Sequence, residues 1–67
     1  MKVRQLKNVM CVEETQRVRI IDAIAKKKVE TVAGWELDED RETHERFMNL
    51  TVCGVSFNAD WLIVWAN

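Results

Sequence analysis

The feature that most constrains this 67-residue chain is an unbroken apolar run near its C-terminus, Trp61–Ala66. A strand with one face in water alternates apolar and polar side chains, so a run with no polar residue predicts a strand that needs cover on both faces. The preceding run, residues 50–57, is rich in β-branched side chains, and residues 58–60 between the two runs favour a turn. Together these segments predict a C-terminal β-hairpin.

A second hairpin is predicted from residues 17–25 and 29–37. The first segment is dense in β-branched residues, and the second has the clearest period-two alternation in the chain. The three consecutive lysines at residues 26–28 are predicted to form the turn between them. Gly34 inside the second strand predicts a bulge or a bend.

Two further segments carry helical signals. Residues 2–10 place their apolar side chains at spacings of three, three and one, which predicts a short amphipathic helix with basic residues on its other side. So short a helix must dock on an apolar surface to be stable. The acidic residues 36–49 are consistent with a short helix or with a solvated loop, with Asp38 or Asp40 as the N-cap.

These elements predict a single α+β domain over residues 1–67, with one N-terminal helix packed on a mostly antiparallel, bent sheet of about four strands. A domain of about 60 residues buries only ~60% of the surface of its unfolded chain, so it usually needs a disulfide, a metal or a partner subunit. Cys11 and Cys53 are flanked by apolar residues and no secretion signal precedes them, so we expect buried thiols in a cytoplasmic protein. The longest apolar run is far short of the ~20 residues that span a membrane.

The layout resembles a class of small uncharacterised proteins from phages, prophages and their Gram-positive hosts. The resemblance rests on the strand 17–22 (Arg-Val-Arg-Ile-Ile-Asp) after the opening helix, on Gly34, and on Leu62-Ile63-Val64 in the last strand. The lysine turn and the long acidic segment depart from that class. The resemblance implies a small α+β fold with an accessory or host-modulating role and with no established activity.

Residues suited to catalysis or metal binding are few. His44 lies among carboxylates, but a zinc site needs more nitrogen or sulfur ligands. A Cys53–His44 pair has the residue types of a nucleophile and its base, but a thiol in an apolar strand stays protonated. We therefore expect neither enzyme activity nor a metal or cofactor. The rival hypothesis is a small enzyme or metal protein built on these residues.

The tryptophans indicate a contact surface. Trp61, Ile63 and Trp65 share one face of the last strand, and Leu62 and Val64 share the other. Trp35, on the alternating strand, completes the candidate interface. One short helix cannot cover both sheet faces, so either the sheet curls into a barrel-like half-shell or one face meets a second molecule. The pattern leaves open which face is core and which is interface. We expect a non-catalytic protein-interaction or accessory module that self-associates, as in a homodimer, through an apolar sheet face or the last strand.

The alternative is a small nucleic-acid-binding module. Its basic patch would combine the turn lysines with the N-terminal helix, and a base would stack on a tryptophan. The residues of this patch are Lys26, Lys27, Lys28, Lys2 and Arg4. The net charge of −1 argues against sequence-independent binding to phosphates. The acidic segment 36–45 offers a further alternative, a contact with a basic surface of a host protein.

Overall fold

The computed structural model describes residues 1–58 and 60–67, which form two helices and five strands. In chain order they are α1 (Val3–Val9), β1 (Arg17–Asp22), β2 (Lys27–Ala33), β3 (Glu36–Leu37), α2 (Arg41–Met48), β4 (Val52–Asn58) and β5 (Trp61–Ala66). The predicted α+β fold is confirmed, with five strands in place of about four. The predicted turn at residues 58–60 includes Ala59, which lies outside the described residues.

The five strands form one sheet in the order β3-β2-β1-β5-β4. Both predicted hairpins are present, because β1 pairs with β2 and β4 pairs with β5 in antiparallel fashion. The remaining central pair, β1 and β5, is parallel. The strand richest in apolar residues therefore has neighbours on both sides. β4, and not the last strand β5, is the edge strand on this side of the sheet.

The turn between β1 and β2 comes earlier than the sequence predicts. The Asp22 carboxylate accepts hydrogen bonds from the N–H groups of Ile24 at 3.1 Å and Ala25 at 3.0 Å, which turns the chain directly after β1. Lys26 completes the turn in the left-handed region, with φ of 56°. The β-branched residue Ile24 favoured a strand in the sequence pattern, but its side chain is exposed and it lies in the turn. Lys27 and Lys28 consequently belong to β2.

The predicted strand 29–37 is broken at Gly34, which confirms the expected bend. Gly34 has φ of +52°, a left-handed conformation that favours glycine, and its N–H donates to the carbonyl oxygen of Gln16 at 3.0 Å. Trp35 therefore lies in the turn between β2 and β3 and not within a strand. Its indole Nε1–H donates to the carbonyl oxygen of Met10 at 3.0 Å.

Each helix begins with a side-chain hydrogen bond. At the start of α1, the N–H of Lys2 donates to Oε1 of Gln5 at 2.8 Å. At the start of α2, the Asp40 carboxylate accepts from the N–H of Thr43 at 2.7 Å, and this contact lowers the pKa of Asp40 from its ordinary value. Asp40 is thus one of the two N-caps that the sequence offered, and the acidic segment contains a helix.

The two helices pack on the same face of the sheet. Val3 and Leu6 of α1 and Phe47 and Met48 of α2 join the inward side chains of the three central strands in one core. The strand residues of this core are Val18, Ile20, Val29, Leu62, Val64 and Ala66. Because both helices lie on this side, none of the described helices covers the opposite face of the sheet.

Candidate interaction surfaces

We call the face without helices the open face. Leu62, Val64 and Ala66 point to the helices and are fully buried, so the alternating residues Trp61, Ile63 and Trp65 lie on the open face. Trp61 and Ile63 are half-buried, and Trp65 is 42% exposed. The strand that needed cover on both faces thus receives helices on one side only.

The register of the sheet arranges the open face in rows across the strands. One row runs from Glu30 through Arg19 and Ile63 to Ser56, and the next runs from Lys28 through Ile21 and Trp65 to Gly54. A third row joins Arg17, Trp61 and Asn58. On this surface, cationic residues of β1 therefore lie beside apolar residues of β5, with Arg17 next to Trp61 and Arg19 next to Ile63.

Trp61 is contacted by two guanidinium groups. The Cζ atoms of Arg17 and Arg19 lie 4.3 Å and 4.5 Å from its ring centroid, which is cation–π geometry. Nε of Arg19 also donates to Oε2 of Glu30 at 2.7 Å. This hydrogen bond to Arg19 is the main cause that lowers the pKa of Glu30 below its ordinary value. Arginine side chains thus cover part of the tryptophan that the helices leave bare.

Trp65 borders a cleft at the end of the open face next to the β1–β2 turn. The cleft has a volume of about 430 Å³, and the residues that line it are Ile21, Asp22, Ala23, Lys26, Lys27, Lys28 and Trp65. Three lysines of the predicted basic patch, at residues 26–28, therefore line a cleft beside a partly exposed tryptophan.

The other two members of the basic patch lie elsewhere. Lys2 and Arg4 are at the start of α1, in the helical layer, and neither lines the cleft beside Trp65. Arg4 forms an ion pair with Glu45 of α2, which lowers the pKa of Glu45. The five predicted residues do not form one surface, because the N-terminal helix packs on the opposite face of the sheet from Trp65.

The candidate interface is likewise divided. Leu62 and Val64 are core residues, and Trp35 packs at the edge of that core, against the end of α1. Only Trp61, Ile63 and Trp65 share an exposed surface. The sequence placed these three correctly on one face, but it could not show that Trp35 would leave the strand at Gly34.

A second apolar surface lies along β4, the edge strand. Val55 and Phe57 pair with Val64 and Leu62 of β5, so they point to the helix-bearing side, yet both are exposed and Phe57 is 69% exposed. The helical layer does not extend over this edge. Beside Phe57 is a groove of about 510 Å³ between β4 and the segment 10–17.

The expectation that the cysteines are buried is wrong. Cys11 lies in the segment after α1 and Cys53 lies on β4, and both thiols are free and exposed. Cys53 is at the register irregularity between Val52 and Gly54, on the outermost strand of the sheet. Such a position leaves the thiol without covering side chains.

The residues considered for catalysis are not assembled into a site. His44 on α2 lines a surface pocket with Glu36 and Leu37 of β3, whereas Cys53 is on β4, at the other end of the strand order. Within residues 1–58 and 60–67, no three His, Cys, Asp or Glu side chains are grouped to hold a metal ion. No helix in the described part of the chain is long and apolar enough to cross a membrane.

Sequence reasoning missed several residues of these surfaces. Arg17 and Arg19 reach Trp61 only because β1 and β5 are parallel neighbours, and no local pattern indicates that pairing. Val55 and Phe57 were visible as apolar residues of a strand, but no local pattern indicated that this strand would lie at the edge of the sheet.

No protein-family model matches the chain, and no curated protein or solved structure is similar to it at a significant level.

Proposed function

We propose that this chain is a non-catalytic protein-interaction module that self-associates. One observation carries the proposal: the C-terminal hairpin exposes apolar side chains on both of its faces. Trp65 is exposed on the open face, and Val55 and Phe57 are exposed on the helix-bearing side. Apolar surface on two sides of one hairpin is typical of proteins that bury it against another molecule.

In this proposal the open face is the surface that binds a different protein. Tryptophan and arginine are the residues most enriched at the energetic centres of protein interfaces, and Trp61, Trp65, Arg17 and Arg19 all lie here. The two guanidinium groups can pair with carboxylates of a partner, as Arg19 already does with Glu30. The partner that fits is therefore a protein surface that combines acidic and apolar side chains.

The non-catalytic part of the proposal is supported by the distribution of reactive side chains. His44, the one histidine, and Cys53, the cysteine on a strand, lie on elements at different ends of the sheet. Two free thiols are typical of a reducing compartment, so the proposal includes a cytoplasmic location. It also includes the accessory role in a phage or its host that the resemblance implies.

Sedimentation equilibrium over the micromolar range tests self-association. We expect the apparent mass to rise with concentration from 7.9 kDa to twice that value. A mass of 7.9 kDa at every concentration, with a native circular dichroism spectrum, would contradict the proposal.

A second candidate function, binding of single-stranded nucleic acid, is favoured by the cleft beside Trp65. Its three lysines can contact phosphates while a base stacks on the indole ring. Arg17, Arg19 and Lys28 also outnumber Glu30 on the open face, although the whole chain is weakly acidic. The net charge of the whole chain is therefore a weaker argument against nucleic-acid binding than it is when the sequence is considered alone.

Fluorescence anisotropy with a random single-stranded oligonucleotide separates the two candidates. Binding that weakens with salt and with Lys28→Glu, in the same row of the open face as Trp65, would support the nucleic-acid function. Lys7→Glu is the matched control, because it makes the same charge change on α1, away from the cleft. Absence of binding at low salt would leave the protein-interaction proposal alone.

A further inference from the structure

We propose that two copies of the chain pair through the free edges of β4, which run antiparallel around a two-fold axis and join the two sheets into one. This inference rests on the proposed self-association and specifies the surface that mediates it. β4 is the outermost strand on its side of the sheet. Met1 and Lys2 occupy only the start of its outer edge, at Thr51 and Val52. The edge from Cys53 to Asn58 is available.

Apart from the register irregularity at Cys53, the available edge carries none of the sequence features that prevent strands from pairing. Residues 53–58 are Cys-Gly-Val-Ser-Phe-Asn, with no charged residue and no proline. Soluble proteins protect edge strands with lysines, prolines or inward-pointing charges, and an unprotected edge is a template for another strand. An equally uncharged strand is the best match, and a second β4 is such a strand.

The other edge of the sheet explains why pairing stops at two copies. β3 has only two residues, Glu36 and Leu37, and acidic residues follow it at positions 38–40. Its length and charge oppose strand addition. With one available edge per molecule, antiparallel pairing is self-complementary and closes as a dimer without growing into a fibre.

The exposed side chains of β4 fit this arrangement. A register centred on Ser56 places Val55 of each copy opposite Phe57 of the other. Both residues lie on the helix-bearing side, where each is exposed in the single chain. Pairs of an aromatic and a β-branched residue stabilise adjacent antiparallel strands. The open faces of the two copies would remain accessible on one continuous sheet.

Phe57→Lys tests the pairing, with Val32→Lys as its matched control. Both side chains are mostly exposed, at 69% and 56%, so neither change should prevent folding. Val32 is on β2, which has neighbours on both sides, and it belongs to the open face. We expect Phe57→Lys to raise the dimer dissociation constant at least tenfold and Val32→Lys to leave it unchanged in sedimentation equilibrium.

The outcomes distinguish the two proposals. A dimer that survives Phe57→Lys but is lost in Val32→Lys would overturn edge pairing and leave self-association through the open face. A wild-type monomer at every concentration would overturn both. Amide hydrogen exchange on the wild-type protein provides a readout without a variant: edge pairing predicts slower exchange within residues 53–58 as concentration rises, and unchanged exchange there in a dimer would overturn it.

Discussion

The hydroxyl oxygen of Thr31 accepts a hydrogen bond of 2.8 Å from the backbone N–H of Val18, and both residues are fully buried. The backbone register of β1 with β2 runs from Asp22 only as far as Arg19, so the threonine side chain continues this pairing at the next residue. A polar side chain here completes the sheet, which explains why the core contains a threonine.

The first prediction concerns this hydrogen bond. Thr31→Val keeps the shape of the side chain but leaves the N–H of Val18 without the hydroxyl, and we expect a loss of about 1–3 kcal/mol in the free energy of unfolding. Urea denaturation measures it. Thr31→Ser keeps the acceptor and removes one methyl group, so it should cost less, about 0.8 kcal/mol. Equal losses in the two variants would show that the hydroxyl contributes little.

The second prediction compares the two glycines. Gly34 has φ of +52°, where a Cβ is strained, so Gly34→Ala should lower the free energy of unfolding by about 1–2 kcal/mol. Gly54→Ala is the control, because a Cβ there would meet Trp65 at an ordinary contact distance of 3.8 Å. We expect Gly54→Ala to leave stability unchanged or to raise it slightly. Thermal denaturation of both variants measures these changes. A larger loss of stability for Gly54→Ala than for Gly34→Ala would contradict the prediction.

The third prediction is a pH dependence at Glu30. Because Arg19 lowers the pKa of Glu30 in the folded protein, the unfolded chain binds more protons over the intervening range of pH. The stabilisation is fully present above the ordinary glutamate pKa and is lost as the pH falls through the lowered value. At neutral pH, Glu30→Gln should therefore be less stable than wild type, by a few tenths to about 1 kcal/mol for a partly exposed pair.

Urea denaturation at a series of pH values measures this difference. The stability gap between wild type and Glu30→Gln should close in acid, because protonated Glu30 loses the same interaction. Asp40 and Glu45 also have lowered pKa values, so both proteins should lose stability in acid while the gap closes. A gap that stays constant from neutral to strongly acid pH would argue against the Arg19–Glu30 contact.

The fourth prediction concerns the thiols. Since Cys11 and Cys53 are both free and exposed, two thiols per chain should react with a disulfide reagent in the native protein, without denaturant. Cys11→Ser and Cys53→Ser should each remove one equivalent. A native protein whose thiols react only after unfolding would contradict the exposure of both residues.

The sequence predicted α1 and the two hairpins, and it left open whether residues 36–49 form a helix or a loop, with Asp38 or Asp40 as the cap. Apolar spacing predicted α1, and β-branched density, alternation and an unbroken apolar run predicted the strands, because these signals act over a few residues. The grouping of Trp61, Ile63 and Trp65 followed from the two-residue period of a strand. Local rules were less successful where a side chain redirected the backbone, as Asp22 does at the β1–β2 turn.

The way in which these elements meet depends on contacts between distant segments, which no local pattern indicates. The parallel pairing of β1 with β5 joins segments more than forty residues apart in the chain, and it alone brings Arg17 and Arg19 to Trp61. It also places the most apolar strand in the middle of the sheet and leaves uncharged β4 at the edge. The choice of core face depends on where both helices dock, since a run apolar on both sides fits either orientation. Packing of α1 and α2 on Leu62 and Val64 makes this side of β5 the core face and leaves Trp65 exposed on the other side.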